Sequence, residues 1–407
     1  MTRKEYAGLN RQSIDCLIDN VLRELDAPKN RGKREQRPYP HFSMFMEENI
    51  AFAKLFGYDF NRCLTDAEFN LAQQLQNRLF CLEHLDGDWE FTPDVQAYPG
   101  LYFEYSLFGL EIGHTTEGVP LIQSDHPLTR DPDLSLIPPY SFETSGILPE
   151  FKALYEHQRR LAGDRVNVLF PAFVRSGLDI AIQLRGYENW IMDTIERPRF
   201  VQNLMQTIVE HRIAYTLDVA EYLGEPMPET VPMADDWVNI PYITPAIFEE
   251  FVLPYIQRLA VSHGSGCTFH TCGCQDGIVS LLAGIQGLRV YEASPWTSLD
   301  EVVAKIPADM PLSVVLHSNK HVLICNLDDV RSRLVEILTK TNGRDITIIA
   351  GGLQPLGEDH GALINRLHDF AAVAREVCCE YTVEMAKEER CLHEHKAGIS
   401  IELLLPQ

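Results

Sequence analysis

The sequence has no apolar run long enough to cross a membrane: nowhere in its 407 residues do about 18 uninterrupted apolar residues occur. Its N-terminal segment, MTRKEYAGLNRQSIDCLIDN, lacks the apolar stretch and cleavage site of a secretory signal. The expected location is therefore cytoplasmic, with no membrane partner. Positive charge is also scarce, 35 Lys and Arg against 58 Asp and Glu, for a formal charge of −23. Such a field repels phosphate backbones and argues against nucleic-acid binding. It suits a basic protein or a cationic substrate, or simply a soluble surface. The ten cysteines have no regular spacing. Without a signal segment they read as reduced thiols, some open to metal ligation, and not as a disulfide framework.

Residues 1–90 carry helical periodicity, at Met44–Phe56 and again at Asp66–Leu82, with no clear strand between them. They are expected to form a helical N-terminal extension, with Asn30–Pro40 as a linker. Aromatic and β-branched residues among glycines at Tyr98–Leu121 suggest paired strands. From Arg165 the pattern becomes a regular alternation. Strands are expected at Arg165–Phe173, Thr230–Ala234, Cys267–His270, Leu288–Glu292, Leu312–His317 and Ile346–Ala350. Helices are expected at Phe200–Leu223, Pro245–His263, Leu299–Ile306, Leu327–Thr341 and Ala362–Val377. Alternation at this spacing implies a parallel sheet. A doubly wound sheet is the alternative, but no glycine-rich dinucleotide loop follows any strand. Six successive units favour closure into a (β/α)8 barrel over residues 91–380. The apolar stretch Gly398–Pro406, within a tail from 381 to 407, reads as strand-like and suited to pack on the barrel or on a second copy in a homodimer.

A parallel barrel carries its functional side chains at strand C-terminal ends. The segment Cys267–Gly277 (CTFHTCGCQDG) places His270 and Cys272 two residues apart at such an end, where both side chains point the same way. An imidazole and a thiolate converging there make half of a zinc site. The alternative is a buried thiol beside a satisfied histidine. Cys274 follows, although Gly273 is placed to turn the chain first. Asp235 and Asp236 end the strand that begins at Thr230. Paired carboxylates at a barrel mouth can share a proton or orient a substrate, though Asp236 could equally cap the next helix. His317, Asn319, Lys320 and His321 form a cationic, imidazole-rich strand end suited to an anionic or phenolic group, or to acid–base work; a solvated loop is the alternative. CLHEH, at Cys391–His395, resembles a ligand cluster but lies past the last barrel helix. His114 and His126 sit in loops that could reach the mouth.

Four pieces occur in a telling order: PAFVRSGLDIAIQLRGYENWIMDTIERPRFVQNLM, ITPAIFEEFVLPYIQRL, FHTCG and AGGLQPLGEDHGALINRL. Together they resemble the superfamily of uroporphyrinogen decarboxylase and the coenzyme M and corrinoid methyltransferases, over about half the chain. The resemblance implies the barrel fold and, in its zinc methyltransferase branch, a His-x-Cys pair that maps onto His270 and Cys272. It implies zinc as cofactor, a corrinoid protein or a thiol as partner, and a small molecule as methyl donor or acceptor. Two departures bear on this. The branch's later cysteine falls at Gly351, where the decarboxylases carry a histidine, and the decarboxylases' N-terminal arginine motif is absent, which disfavours a porphyrin substrate. A third metal ligand is then sought among Cys274, Glu249 and His360. A metal-free decarboxylase or lyase using Asp235, Asp236, His317 and Lys320 is the alternative reading, and a silent binding protein a third.

Overall fold

The structure, a computed structural model, describes residues 11–27, 40–47, 50–88, 92–100, 102–116, 118–264, 266–357 and 359–402, with side chains placed as far as Val383. Among the described residues eight strands run parallel: β1 His41–Met46, β2 Val95–Gln96, β3 Val168–Leu169, β4 Thr230–Ala234, β5 Gly266–His270, β6 Tyr291–Ala293, β7 Leu312–Val315 and β8 Ile346–Leu353. β2 pairs with β3, β4 with β5, β6 with β7, β7 with β8, and β8 with β1. Single parallel bridges, Arg175 to Ala234 and Cys267 to Leu288, join β3 to β4 and β5 to β6. The run therefore goes round from β2 to β1, as a (β/α)8 barrel requires.

The gap between β1 and β2 is closed by one residue. Asp88, just ahead of β2, accepts the Phe42 N–H at 3.1 Å with its carboxylate and donates its own N–H to the Phe42 carbonyl at 2.8 Å. Arg375 of the C-terminal helix holds the other carboxylate oxygen at 2.8 Å. A pocket of about 470 Å³ lies beside this gap, lined by Phe45, Met46, Asn77, Cys81 and Gln96.

The alternation read from Arg165 onward is present. Helices occur at Gly177–Arg185, Pro198–Leu223, Leu299–Lys305 and Leu327–Thr341. The helix expected from Asp66 runs Ala67–His84, with the Asp66 carboxylate accepting the Phe69 N–H at 3.0 Å as its N-cap. The paired strands expected near Tyr98–Leu121 are an antiparallel hairpin, Ile112–His114 with Pro120–Ile122. The N-terminal reading needs correction. Met44–Phe56 is not one helix: its first residues belong to β1, which pairs with β8 through five registered positions, and among its described residues Ile50–Phe56 is helical. The sheet thus reaches back to residue 41, inside the segment expected as an extension. At the other end the helix His360–Glu402 continues through Gly398, where a strand was expected. The Asn30–Pro40 linker falls almost wholly outside the described residues, and the Cys391–His395 side chains lie beyond them. Among the described residues no helix is long and apolar enough to cross a membrane.

Gly351 on β8 explains one departure from the family pattern. A Cβ there would stand 2.1 Å from Cζ of Phe45, whose ring lies over the glycine from the neighbouring strand. Any side chain at 351 must displace that ring. Because that ring is exposed and can swing aside, Gly351→Ala is expected to cost about 0.5–1.5 kcal/mol in urea unfolding, the cost of an off-rotamer side chain. In a Phe45→Ala background the same change should cost nothing or stabilise. Equal costs in both backgrounds would refute the contact as the cause.

Candidate metal centre at the barrel mouth

β4 and β5 lie in a register that sets Ala234 opposite His270. The residues just past the two strands are thereby brought to one spot on the rim. Asp236, His270 and Cys272 each direct a ligand atom there, all within 4.8 Å of one another. His270 Nε2 stands 3.3 Å from Cys272 Sγ. Its other nitrogen, Nδ1, is 2.5 Å from the Glu292 carboxylate on β6. That carboxylate fixes the ring, and a hydrogen on Nδ1 leaves Nε2 free to face the cluster; carboxylates often support metal-binding histidines in this way.

Asp236 is held from behind. Arg175 Nη1 bridges its Oδ2 and the Asp179 Oδ2, each at 2.6 Å. The guanidinium lies 4.5 Å over the Tyr102 ring. Tyr102 adopts a left-handed backbone (φ 64°), rare for a bulky residue, and its ring also stacks on Tyr105. Burial pushes the Asp236 carboxyl up, but Arg175, with smaller help from His270 and Cys272, outweighs it and holds the group ionised. For His270, burial pulls the pKa down, while hydrogen bonds to Cys272 and Glu292 and the charge of Glu292 raise it well above the usual imidazole value. Glu47, just past β1, feels both groups. Burial and the Asp236 charge raise its pKa, against the opposing pull of His270.

The expected residues separate clearly. His270 and Cys272 come together, and Asp236 joins them as a ligand-type group. Cys274 does not. Gly273 packs so closely on residues 238 and 239 that a Cβ would meet Asn239 Cβ at 2.4 Å. The Cys274 N–H donates to Asn239 Oδ1 at 2.9 Å and its carbonyl accepts the Ile240 N–H at 2.9 Å. The thiol consequently faces Asp276; burial raises its pKa, against the Asp276 N–H, with a smaller rise from the Asp276 carboxylate. Glu249 is exposed on a π-helical turn, Phe248–Val252, and His360 opens the C-terminal helix; neither belongs to the cluster.

Asp235 is not a mouth residue. It is fully buried. Its Oδ2 accepts from the Ser176 hydroxyl and from the N–H groups of Leu178 (3.1 Å) and Asp179 (3.2 Å), while Oδ1 accepts from the Trp237 N–H at 3.2 Å. A cap on the next helix was the alternative for Asp236; instead Asp235 accepts the first N–H groups of the helix Gly177–Arg185, of the preceding unit. His317, Asn319, Lys320 and His321 lie at the end of β7, apart from the three clustered residues. His126 caps a 3-10 turn through Nδ1, 3.1 Å from the Leu128 N–H, and His114 packs on Phe60, so neither joins the cluster.

Sequence reasoning missed Glu292, Arg175, Asp179 and Glu47. Glu292 and Arg175 sit at strand ends, which was the available signal; Glu47 lay in the segment assigned to the extension. A cleft of about 920 Å³, between the hairpin and the helix Leu148–Ala162, has an apolar floor of Leu64, Phe103 and Phe151.

The donor set fits a zinc ion. Nitrogen, sulfur and carboxylate oxygen are its usual ligands, and bonds of about 2.0–2.3 Å in tetrahedral array separate ligand atoms by about 3.5 Å. The 3.3 Å between Nε2 and Sγ agrees with that spacing.

Comparison with known proteins places this geometry in context. The uroporphyrinogen decarboxylase (URO-D) family profile matches residues 95–352. Among solved structures, a methyltransferase from Methanosarcina mazei superposes with a TM-score of 0.60 at 19% identity, covering 88% of this chain and 98% of that one. No curated protein matches the sequence significantly.

The two adjacent aspartates should respond unequally to truncation. Asp235→Ala strands four donors in the core and is expected to lower stability by about 3–5 kcal/mol. Asp236→Ala leaves Arg175 paired with Asp179 and should cost about 1 kcal/mol or less. Thermal unfolding of both variants checks this; a larger loss for Asp236→Ala would contradict the assignment.

Proposed function

The chain belongs to the uroporphyrinogen decarboxylase family, and from that premise we propose that it is a methyltransferase working through a zinc site built from Asp236, His270 and Cys272. The convergence of those three ligand atoms at the barrel mouth carries the reading. A corrinoid protein or a small thiol is the proposed methyl partner, after the resemblance of the His-x-Cys segment to the zinc methyltransferases. The structural likeness to the Methanosarcina mazei protein supports the fold.

When bound, the zinc would supply a fixed positive charge that lowers the pKa of a coordinated thiol or polarises a leaving group. The chain's own residues prepare the site. Glu292 sets the His270 ring so that Nε2 faces inward. Arg175 takes Oδ2 of Asp236 and holds the carboxylate beside Cys272. Glu47 presents a carboxyl with a raised pKa beside the same groups, suited to hold a proton displaced from an incoming thiol. Methyl transfer requires in-line approach of donor and acceptor, so orientation of this kind is the protein's main contribution. The metal-free decarboxylase reading loses its paired acids, because Asp235 is engaged in the core.

The purified protein is expected to hold one zinc, lost in His270→Ala and Cys272→Ser and bound at least about tenfold more weakly in Asp236→Ala and Glu292→Ala. The raised His270 pKa adds a pH dependence. Without metal the imidazolium is retained past the pH where a free histidine loses its proton, and the stability it contributes disappears as the pH climbs through its folded pKa. Zinc must displace that proton, so binding should release protons and tighten with rising pH, measurable by calorimetry in buffers of different ionisation enthalpy. Methylation of free cobalamin by candidate donors, followed by its absorption spectrum, tests the reaction. A metal-free protein that turns over a carboxylated substrate would refute the proposal.

A further inference from the structure

Beyond β7 the chain enters a π-helical turn, Ser318–Leu323, with His317 at its N-terminus. The His317 N–H donates to His321 Nδ1 at 3.2 Å, and the Lys320 N–H donates to His317 Nδ1 at 3.3 Å. A ring nitrogen that accepts a backbone N–H carries no hydrogen, so in each ring the hydrogen sits on Nε2. Burial, followed by the positive charges of Arg333 and Lys320, pushes His321 down to about 4, in keeping with that tautomer. Neither Nε2 has a hydrogen-bond partner among the described residues, and the exposed Lys320 has no ion pair among them. The Trp296 ring, 58% exposed, meets the His317 ring edge-on at 4.9 Å between centroids.

In a chain with 23 more acidic than basic residues, a strand end offering two N–H donors, an unpaired ammonium and an open indole face is a conspicuous local exception. Around His270 the mouth carries Asp236 and, on β6 beside β7, Glu292, carboxylates that disfavour an anion at the metal ligands. β5, which carries His270, and β7 are separated by one strand, so the two regions are about 10 Å apart. A ligand spanning that distance is oriented by charge, with its anionic end on β7 and its other end toward the metal ligands.

We propose that His317, Lys320 and Trp296, backed by His321, form a carboxylate-binding subsite that accepts a flat, conjugated carboxylate and so sets the substrate's direction in the mouth. The reading rests on the proposed methyltransferase site for its functional meaning, while the binding itself does not need the metal. Charged hydrogen bonds supply the affinity for the oxyanion, and the indole face supplies contact for the flat body.

The test titrates benzoate into the full-length protein, read by tryptophan fluorescence and by calorimetry, with benzamide and inorganic phosphate as controls. Benzoate should saturate and bind at least about tenfold more tightly than either control. Lys320→Met should weaken it about tenfold, as should His317→Phe, which keeps a ring against Trp296 but has no N–H. Lys320 is solvent-exposed, so its variant remains informative should His317→Phe fail to fold. His270→Ala should leave benzoate binding unchanged, which separates this subsite from the metal: absent zinc with intact benzoate binding would defeat only the metal reading. Loss of benzoate binding in His270→Ala would place the carboxylate on the metal and overturn the proposal. Equal affinity for benzamide or phosphate, no saturation, or an unchanged Lys320→Met would overturn it too.

Discussion

The register between β4 and β5 governs the rest of the molecule's chemistry. With Ala234 opposite His270, the next residue of each strand must leave the sheet at the same height on the barrel. Asp235 turns inward and is consumed by the core, where it ties the start of the helix Gly177–Arg185 to β4. Asp236 turns outward to meet His270 and Cys272. A slip of one residue would reverse the two carboxylates, burying the one aligned by Arg175 and exposing the one that caps the helix.

Around that register each reactive side chain is restrained by a second group. Glu292 orients the imidazole, Arg175 orients the carboxylate, and Gly273 permits the tight turn that sends Cys274 away while Cys272 stays at the rim. Arg175 is itself anchored by the buried Asp179 and by the Tyr102 face. The result is a nitrogen, a sulfur and an oxygen in place of the two sulfurs and one nitrogen of the family's zinc methyltransferases. Position 351 cannot carry the missing sulfur while Phe45 occupies the space above it. In the proposed site a carboxylate ligand would give less thiolate character and a harder donor set.

The alternating half of the chain was legible because each strand is a short apolar run and each helix shows its period, so Thr230–Ala234 and Leu327–Thr341 fall where the pattern puts them. β1 was not, because HFSMFM runs into a helical stretch without a glycine or proline between them, and only pairing with β8 makes it a strand. The His-x-Cys pair was visible as spacing at a strand end. The carboxylate that joins it was not, since adjacent aspartates look alike in sequence and only the surrounding fold decides which one is buried. Glu292 and Arg175 escaped notice for a related reason: a lone acid or base at a strand end acquires meaning only from what stands opposite it.

Zinc K-edge X-ray absorption on the full-length protein addresses the central claim most directly. The account predicts one sulfur at about 2.3 Å and nitrogen or oxygen ligands at about 2.0–2.1 Å, with a histidine scattering pattern. Two sulfurs in the shell, no sulfur, or no bound zinc would contradict it.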